Sequence, residues 1–182
     1  MKYLLLVFTF LLASQARAIP VISLSPSSST LGFNQAFTVD VLLSGIEATD
    51  PLIAFGFDVG STIGLSYNGA VVASPFLDDS VFFSSTDVAG STFPAVFGNG
   101  ILLSTLALTT GASAGPQVVS IFTSQADFGL SEGIFTLANL YDVQATAAIE
   151  VVRGSAVPLP STLLLLSLAL LGTGLRKRLA TH

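Results

Sequence analysis

The stretch Phe37-Thr38-Val39-Asp40-Val41-Leu42-Leu43-Ser44 sets Phe37, Val39, Val41 and Leu43 in alternation with Thr38, Asp40, Leu42 and Ser44. A period of two places the first set on one face of a strand and the second on the other. The rhythm recurs. Ile53, Phe55, Phe57 and Val59 alternate with Ala54, Gly56 and Asp58. Tyr141, Val143, Ala145, Ala147, Ile149 and Val151 alternate with Asp142, Gln144, Thr146, Ala148 and Glu150. Shorter strand candidates are Val21–Ser25, Leu65–Ala73, Val81–Ser84, Ile101–Leu108, Val118–Ser124 and Ile134–Ala138. Turn residues separate them at Pro26–Ser29, Asp50-Pro51, Asn99-Gly100, Gly111–Pro116 and Ser131–Gly133. Asn68-Gly69 is the strongest hairpin signal, since a type I′ turn needs positive φ at both central residues. Ser84–Gly100, rich in Gly, Ser, Thr and Ala, reads as a long loop or an irregular edge.

No segment from 19 to 153 carries a helical apolar stripe. About nine short strands at this spacing predict an all-β fold, a two-sheet antiparallel sandwich of the jelly-roll kind. The twelve Phe of residues 19–160 are the expected packing material. The segment 19–153 is long enough to bury a core without disulfides, and the chain has no Cys.

Both ends read as addresses. Residues 1–18 have the form of a secretory signal: Lys2, an apolar run from Leu4 to Ala13, and the small-x-small cleavage site Ala16-Arg17-Ala18. At the other end, the stretch from Gly154 to Leu175 carries no charge and is followed by Arg176-Lys177-Arg178. Residues 154–160 read as a linker, 161–175 as a single transmembrane helix, and 176–182 as a basic tail held in the cytoplasm by the positive-inside rule. A helix over 161–175 spans only ~22 Å at 1.5 Å per residue, and approaches the ~30 Å hydrocarbon core if it begins at Val157.

Val157-Pro158-Leu159-Pro160, the Leu-rich span and Arg176-Lys177-Arg178 together resemble the PEP-CTERM sorting signal of Gram-negative bacteria that make exopolysaccharide. The resemblance runs from Val157 to the C-terminal His182 and departs where Leu159 replaces the usual Glu. It implies an exosortase, a membrane cysteine protease, as partner. It also implies export, membrane anchoring through the C-terminal helix, and then a cell-surface or extracellular destination. An ordinary single-pass anchor is the alternative reading of the same residues.

Without its ends, the segment 19–160 keeps all eleven acids and Arg153 as its only base, a net charge of −10. Such a surface repels nucleic acid and anionic membranes. The only His is His182, so the exported part has no imidazole, thiol or amine side chain. Ser-His-Asp and Cys-His machinery and His-ligated metals are therefore excluded there. Carboxylate glycosidase chemistry stays open on residue type, with Asp78, Asp79, Asp87, Asp127, Glu132 and Asp142 as candidates, but no spacing marks a pair. Calcium, which takes oxygen ligands, is the one inorganic ligand to consider, with Asp78 and Asp79 as candidate ligands. No cofactor is expected otherwise.

A second resemblance lies between Ile22 and Val59. Ile22–Ser29, Phe37-Thr38-Val39-Asp40-Val41 and Ile53-Ala54-Phe55-Gly56-Phe57-Asp58-Val59 resemble the first strands of cohesins, with Asn34-Gln35 where that family often has Gly-Asp. It implies a nine-stranded sandwich related to cellulose-binding modules and a dockerin-like partner, with no contact residue carried over. The resulting expectation is an exported, non-enzymatic protein of the cell surface or exopolysaccharide matrix that binds a surface protein or polysaccharide. The alternatives are a carbohydrate-binding module using Tyr67 or Tyr141, and a carboxylate glycosidase.

Overall fold

The computed structural model describes residues 19–153. The signal cleavage site at Ala16 and Ala18, the motif Val157–Pro160, the proposed span at 161–175 and the basic cluster Arg176–Arg178 lie outside the described residues.

Twelve strand segments follow in order: β1 (Val21–Pro26), β2 (Thr30–Leu31), β3 (Ala36–Ser44), β4 (Leu52–Ser61), β5 (Leu65–Val72), β6 (Leu77–Asp78), β7 (Val88–Val96), β8 (Ile101–Thr110), β9 (Gly115–Phe122), β10 (Gly133–Thr136), β11 (Leu140–Tyr141) and β12 (Gln144–Val151). They form two sheets. One has the order β1-β3-β8-β5; the other runs β11-β10-β4-β9-β12-β2, with β7 also on β4 and β6 on β7. All strand pairs are antiparallel except β2–β12.

The alternation reads through into burial. Phe37, Val39, Val41 and Leu43 on β3 face the core, as do Leu106 and Leu108 on β8 opposite them. Phe55, Phe57, Val119, Ile121, Ile134 and Ile149 close the core from the larger sheet. Phe55 stacks on Phe57 at 5.9 Å and meets Phe76 edge-on at 5.1 Å. On β12 every second residue is sheltered, as its sequence requires. The strand expected over 141–151 is broken at Asp142-Val143 into β11 and β12, without losing phase.

Several expectations are corrected. Asn68-Gly69 lies within β5, where it forms a bulge against β8 instead of a hairpin. Gly69 supplies the positive φ (119°), and Asn68 Nδ2 donates to Thr109 Oγ1 across the strand pair. Val81–Ser84 is not a strand. Asp78 Oδ1 accepts the Ser80 N–H and Asp79 O accepts the Phe82 N–H, which winds Ser80–Phe82 into one 3-10 turn. The Ser84–Gly100 stretch holds a full strand, β7, paired with β4. Its small residues are a packing requirement: a Cβ on Gly90 would stand within 3.0 Å of the Phe55 ring and of Val72. Pro116 is a β9 residue and not a turn. A register shift between Leu52 and Ala54 buries Leu52 fully and leaves Ile53 half-buried. Of the twelve Phe, only Phe37, Phe55, Phe57 and Phe76 are buried; the core is chiefly Val, Leu and Ile.

Candidate functional site

With Phe55 and Phe57 turned inward, β4 presents Ala54, Gly56 and Asp58 on its outer face. Ser91 and Ala89 of β7 stand opposite Ala54 and Gly56, and Phe135 of β10 stands opposite Ala54 from the other side. Residues opposite one another share a face. The outer face is therefore floored by small side chains. A cavity of about 240 Å³ opens there, on a floor that includes Ala54, Ala89 and Ser91, between Phe83, Leu130 and Phe135, with Asp79 among its lining. The 3-10 turn carries Val81 and Phe82, 82% and 76% exposed, between Asp79 and Phe83. Leu77 and Leu130 are also exposed. Soluble surfaces seldom present apolar side chains this densely without a partner to cover them.

Two loops build the cavity wall. Phe122 lies opposite Asp58 and Gly133 opposite Gly56, so the ten residues Thr123–Glu132 leave the ladder within a single residue of β4. That excursion folds back on itself. Asp127 O accepts the N–H groups of Leu130, Ser131 and Glu132, and Ser124 Oγ donates to Asp127 Oδ2. It then crosses the face of β4 at Gly56, where a Cβ would lie 1.9 Å from the Ser131 carbonyl oxygen. From the β7 side comes the loop before Val88. Ser85 Oγ donates to Asp127 Oδ1, and Thr86 Oγ1 lies 2.8 Å from Ser131 Oγ.

Beneath this crossing sits Glu132, with no exposed surface. It accepts the Ser124 N–H and, at 3.4 Å, the Thr86 hydroxyl. Burial pushes its carboxyl up from the ordinary range. The Ser124 N–H opposes that rise, while the charge of Asp58, a hydrogen bond with Asp58 and the charge of Asp127 reinforce it. Asp58 is also raised, first by burial; Asp87 acts on it both ways, through its backbone N–H and its charge, and Glu132 hydrogen-bonds it. That bond favours charge on Asp58 and the proton on Glu132.

The acids singled out by residue type thus separate into groups. Asp87, Asp127 and Glu132 come together, joined by Asp58, which the sequence did not mark. Asp142 is not among the charges acting on that group and instead accepts the hydroxyl of Thr123, where the excursion begins. Asp78 acts on Tyr67 from β6, while Asp79 lines the outer-face cavity. Among the described residues, no group of three or more His, Cys, Asp or Glu is placed to hold a metal ion. Glu132 has no exposed surface, whereas glycoside hydrolysis needs both carboxyl groups open to the sugar.

The tyrosines differ. Tyr67 is half-buried against the core, and its hydroxyl is pushed up to about 12, first by burial and then by the charges of Asp87 and Asp78. Tyr141 lines two further cavities of about 80 and 190 Å³ that share Pro20, the first also lined by Glu47 and Asp50 and the second by Asp142.

Residues 156–178 match the PEP-CTERM protein-sorting motif. The match implies an exported protein sorted by exosortase, as its C-terminal residues led one to expect. The structural neighbours are cohesin modules. The cohesin module of a Clostridium perfringens family 33 glycoside hydrolase superposes with a TM-score of 0.54 at 8% identity, over 75% of this chain and 100% of that one. A type III cohesin from the cell-surface anchoring scaffoldin ScaE of Ruminococcus flavefaciens gives 0.52 at 12% identity, over 78% and 91%. The two-sheet, cohesin-like fold therefore stands. No curated protein matches the chain by sequence. Among the described residues, no helix is long and apolar enough to cross a membrane.

Proposed function

We propose that this is a non-enzymatic surface protein whose sandwich holds a second exported protein against the outer face of β4, β7 and β10. The observation that carries the reading is the apolar cavity of about 240 Å³ on that face, bordered by Phe83 and Leu130 and lined in part by Asp79. The partner fitting it is a segment that inserts an apolar side chain beside a Lys or Arg. The apolar side chain gains by leaving water, and the basic neighbour meets Asp79 on a chain whose residues 19–160 hold eleven acids and one base.

The two ends determine where this happens. Export is followed by cleavage after Ala18, the span at 161–175 holds the protein in the inner membrane of a Gram-negative cell, and exosortase then acts near Val157–Pro160. Release to the surface or the exopolysaccharide matrix completes the route. Intact mass spectrometry of the protein recovered from cells tests both ends together. A mass running from Ile19 to the region of Pro160 supports the scheme, while retention of Arg176–Arg178 at steady state would make the tail a plain anchor. Calcium bound at Asp78 and Asp79 forms no part of this reading.

The interface is tested by chemical crosslinking on intact cells that express the wild type or a charged variant. A defined exported protein should crosslink to the wild type and to Val71→Asp, which alters an exposed apolar residue of the other sheet. It should be lost with Leu130→Asp. Equal crosslinking by both variants sinks the interface. Polysaccharide binding is the second reading and rests on Tyr141, the aromatic shared by the two acidic cavities. Retention on the host's own polymer that disappears with Tyr141→Ala would move the function there.

A further inference from the structure

We propose that one proton, shared between Glu132 and Asp58, holds the rim of the outer-face cavity in place, so that this surface loosens as its surroundings pass from acidic to alkaline. The consequence for partner binding rests on the reading above; the response of the loops does not.

Four acidic residues meet beside the crossing of the two loops: Asp58 of β4 accepts the N–H of Asp87, Asp87 accepts the N–H of Val59, and in the excursion Asp127 accepts the Ser85 hydroxyl through its side chain and the Glu132 N–H through its carbonyl. No cation is among the charges acting on the Asp58–Glu132 pair. Arg153 is the only base in the described part of the chain. While Glu132 keeps its proton, the pair is a neutral acid bonded to one carboxylate, and Glu132 still accepts the Ser124 N–H and faces Thr86. Once the proton leaves, two negative charges face each other with Asp87 and Asp127 close by. One of them belongs to a side chain with no exposed surface and no counter-ion. A buried unpaired charge is strongly disfavoured, so the surroundings give way before the charge stays in place.

What gives way is decided by the topology. Asp58 stands in a strand paired with β9, whereas Glu132 ends a ten-residue departure from the ladder. The excursion and the loop holding Ser85 and Thr86 are joined to each other by side-chain bonds to Asp127, Ser131 and Glu132. Moving Glu132 toward water therefore breaks loop contacts and leaves strand pairing intact. Leu130 and Phe83, which wall the cavity, ride on or next to these same segments. The proton is thereby coupled to the shape of the rim.

Hydrogen exchange by mass spectrometry on the full chain in detergent, with EDTA present, tests this without any partner. After correction for intrinsic rates, peptides covering 123–132 and 83–87 should lose about tenfold or more of their protection between about pH 5 and about pH 8, while β3 and β8 hold theirs. Glu132→Gln keeps an acceptor for Ser124 and a donor for Asp58 and does not titrate. It should show equal loop protection at both pH values. Should that variant fail to fold, Asp58→Asn removes the second charge and offers Glu132 an amide donor, so its loops should lose less protection between the two pH values than those of the wild type. Wild-type loops equally protected at both pH values would overturn the proposal, as would an undiminished pH response in the folded variant. Absence of a protein partner would instead sink the interface and leave this result standing.

Discussion

Ser104 is fully buried on β8, and its hydroxyl meets no hydrogen-bond partner. A desolvated, unsatisfied hydroxyl is a debit, and removing it leaves only a very small void. Ser104→Ala should therefore raise stability by about 1 kcal/mol, read as a higher urea midpoint at unchanged slope. A lower midpoint would show that the hydroxyl has a partner in solution. The opposite case is Glu132, a buried acid whose partners are all supplied. Its carboxyl and that of Asp58 are raised in the folded protein, so the native state binds more protons than the unfolded chain above the ordinary carboxylate range. Stability should accordingly fall as pH rises from about 4 through the raised values, the reverse of a salt-bridged acid. In Glu132→Gln the urea midpoint should vary less over that range than in the wild type, and an equal or steeper decline would refute the assignment. Ser104 could not be singled out from sequence, and Glu132 could be marked by residue type but not by its role. Ser104 occupies an ordinary alternating position, and Glu132 reaches Asp58 only because a loop closes over Gly56.

At the level of elements, legibility followed from how many faces of a strand meet water. β3 and β12 each have one buried and one exposed face, and their alternation could be read directly. β7 begins with Val88, Ala89 and Gly90, all buried, because the core lies on one side and the two loops on the other. Its composition then reports the lack of room for side chains, which on paper looks like a loop. Two glycines separate the physical reasons for such residues. Gly69 has φ of 119° and open space around its Cβ position, so Gly69→Ala should cost about 1 kcal/mol through backbone strain alone. At Gly56 the obstacle is the Ser131 carbonyl at 1.9 Å, and both segments are backbone. Gly56→Ala should cost about 3 kcal/mol and also raise exchange in 123–132, which Gly69→Ala should leave unchanged. Thermal or urea unfolding with peptide-level exchange distinguishes the two, and equal loop exchange in both variants would mean that the crossing over β4 is not tight.

On the scale of the whole molecule, the two-sheet architecture and the C-terminal sorting motif were legible because each rests on residues close in sequence: a period of two, or three parts in fixed order. The candidate surface was not, because Asp79, Phe83, Ser91, Leu130 and Phe135 come from four separate stretches and meet only through the β4 pairings. Charge is the one property of the whole chain that sequence alone settles. Eleven acids against one base over residues 19–160 leave the sandwich repelling itself at neutral pH. The Debye length shortens from about 30 Å at 0.01 M salt to about 8 Å at 0.15 M, less than the breadth of a sheet of this many strands. Monovalent salt should therefore raise the melting temperature over that interval in the wild type at pH 7, without any specific ion. Sodium and potassium chloride at equal ionic strength should act alike, since the effect is screening alone. A melting temperature that fell with salt would mean that attractive pairs, and not mutual repulsion among the carboxylates, dominate the electrostatics of this domain.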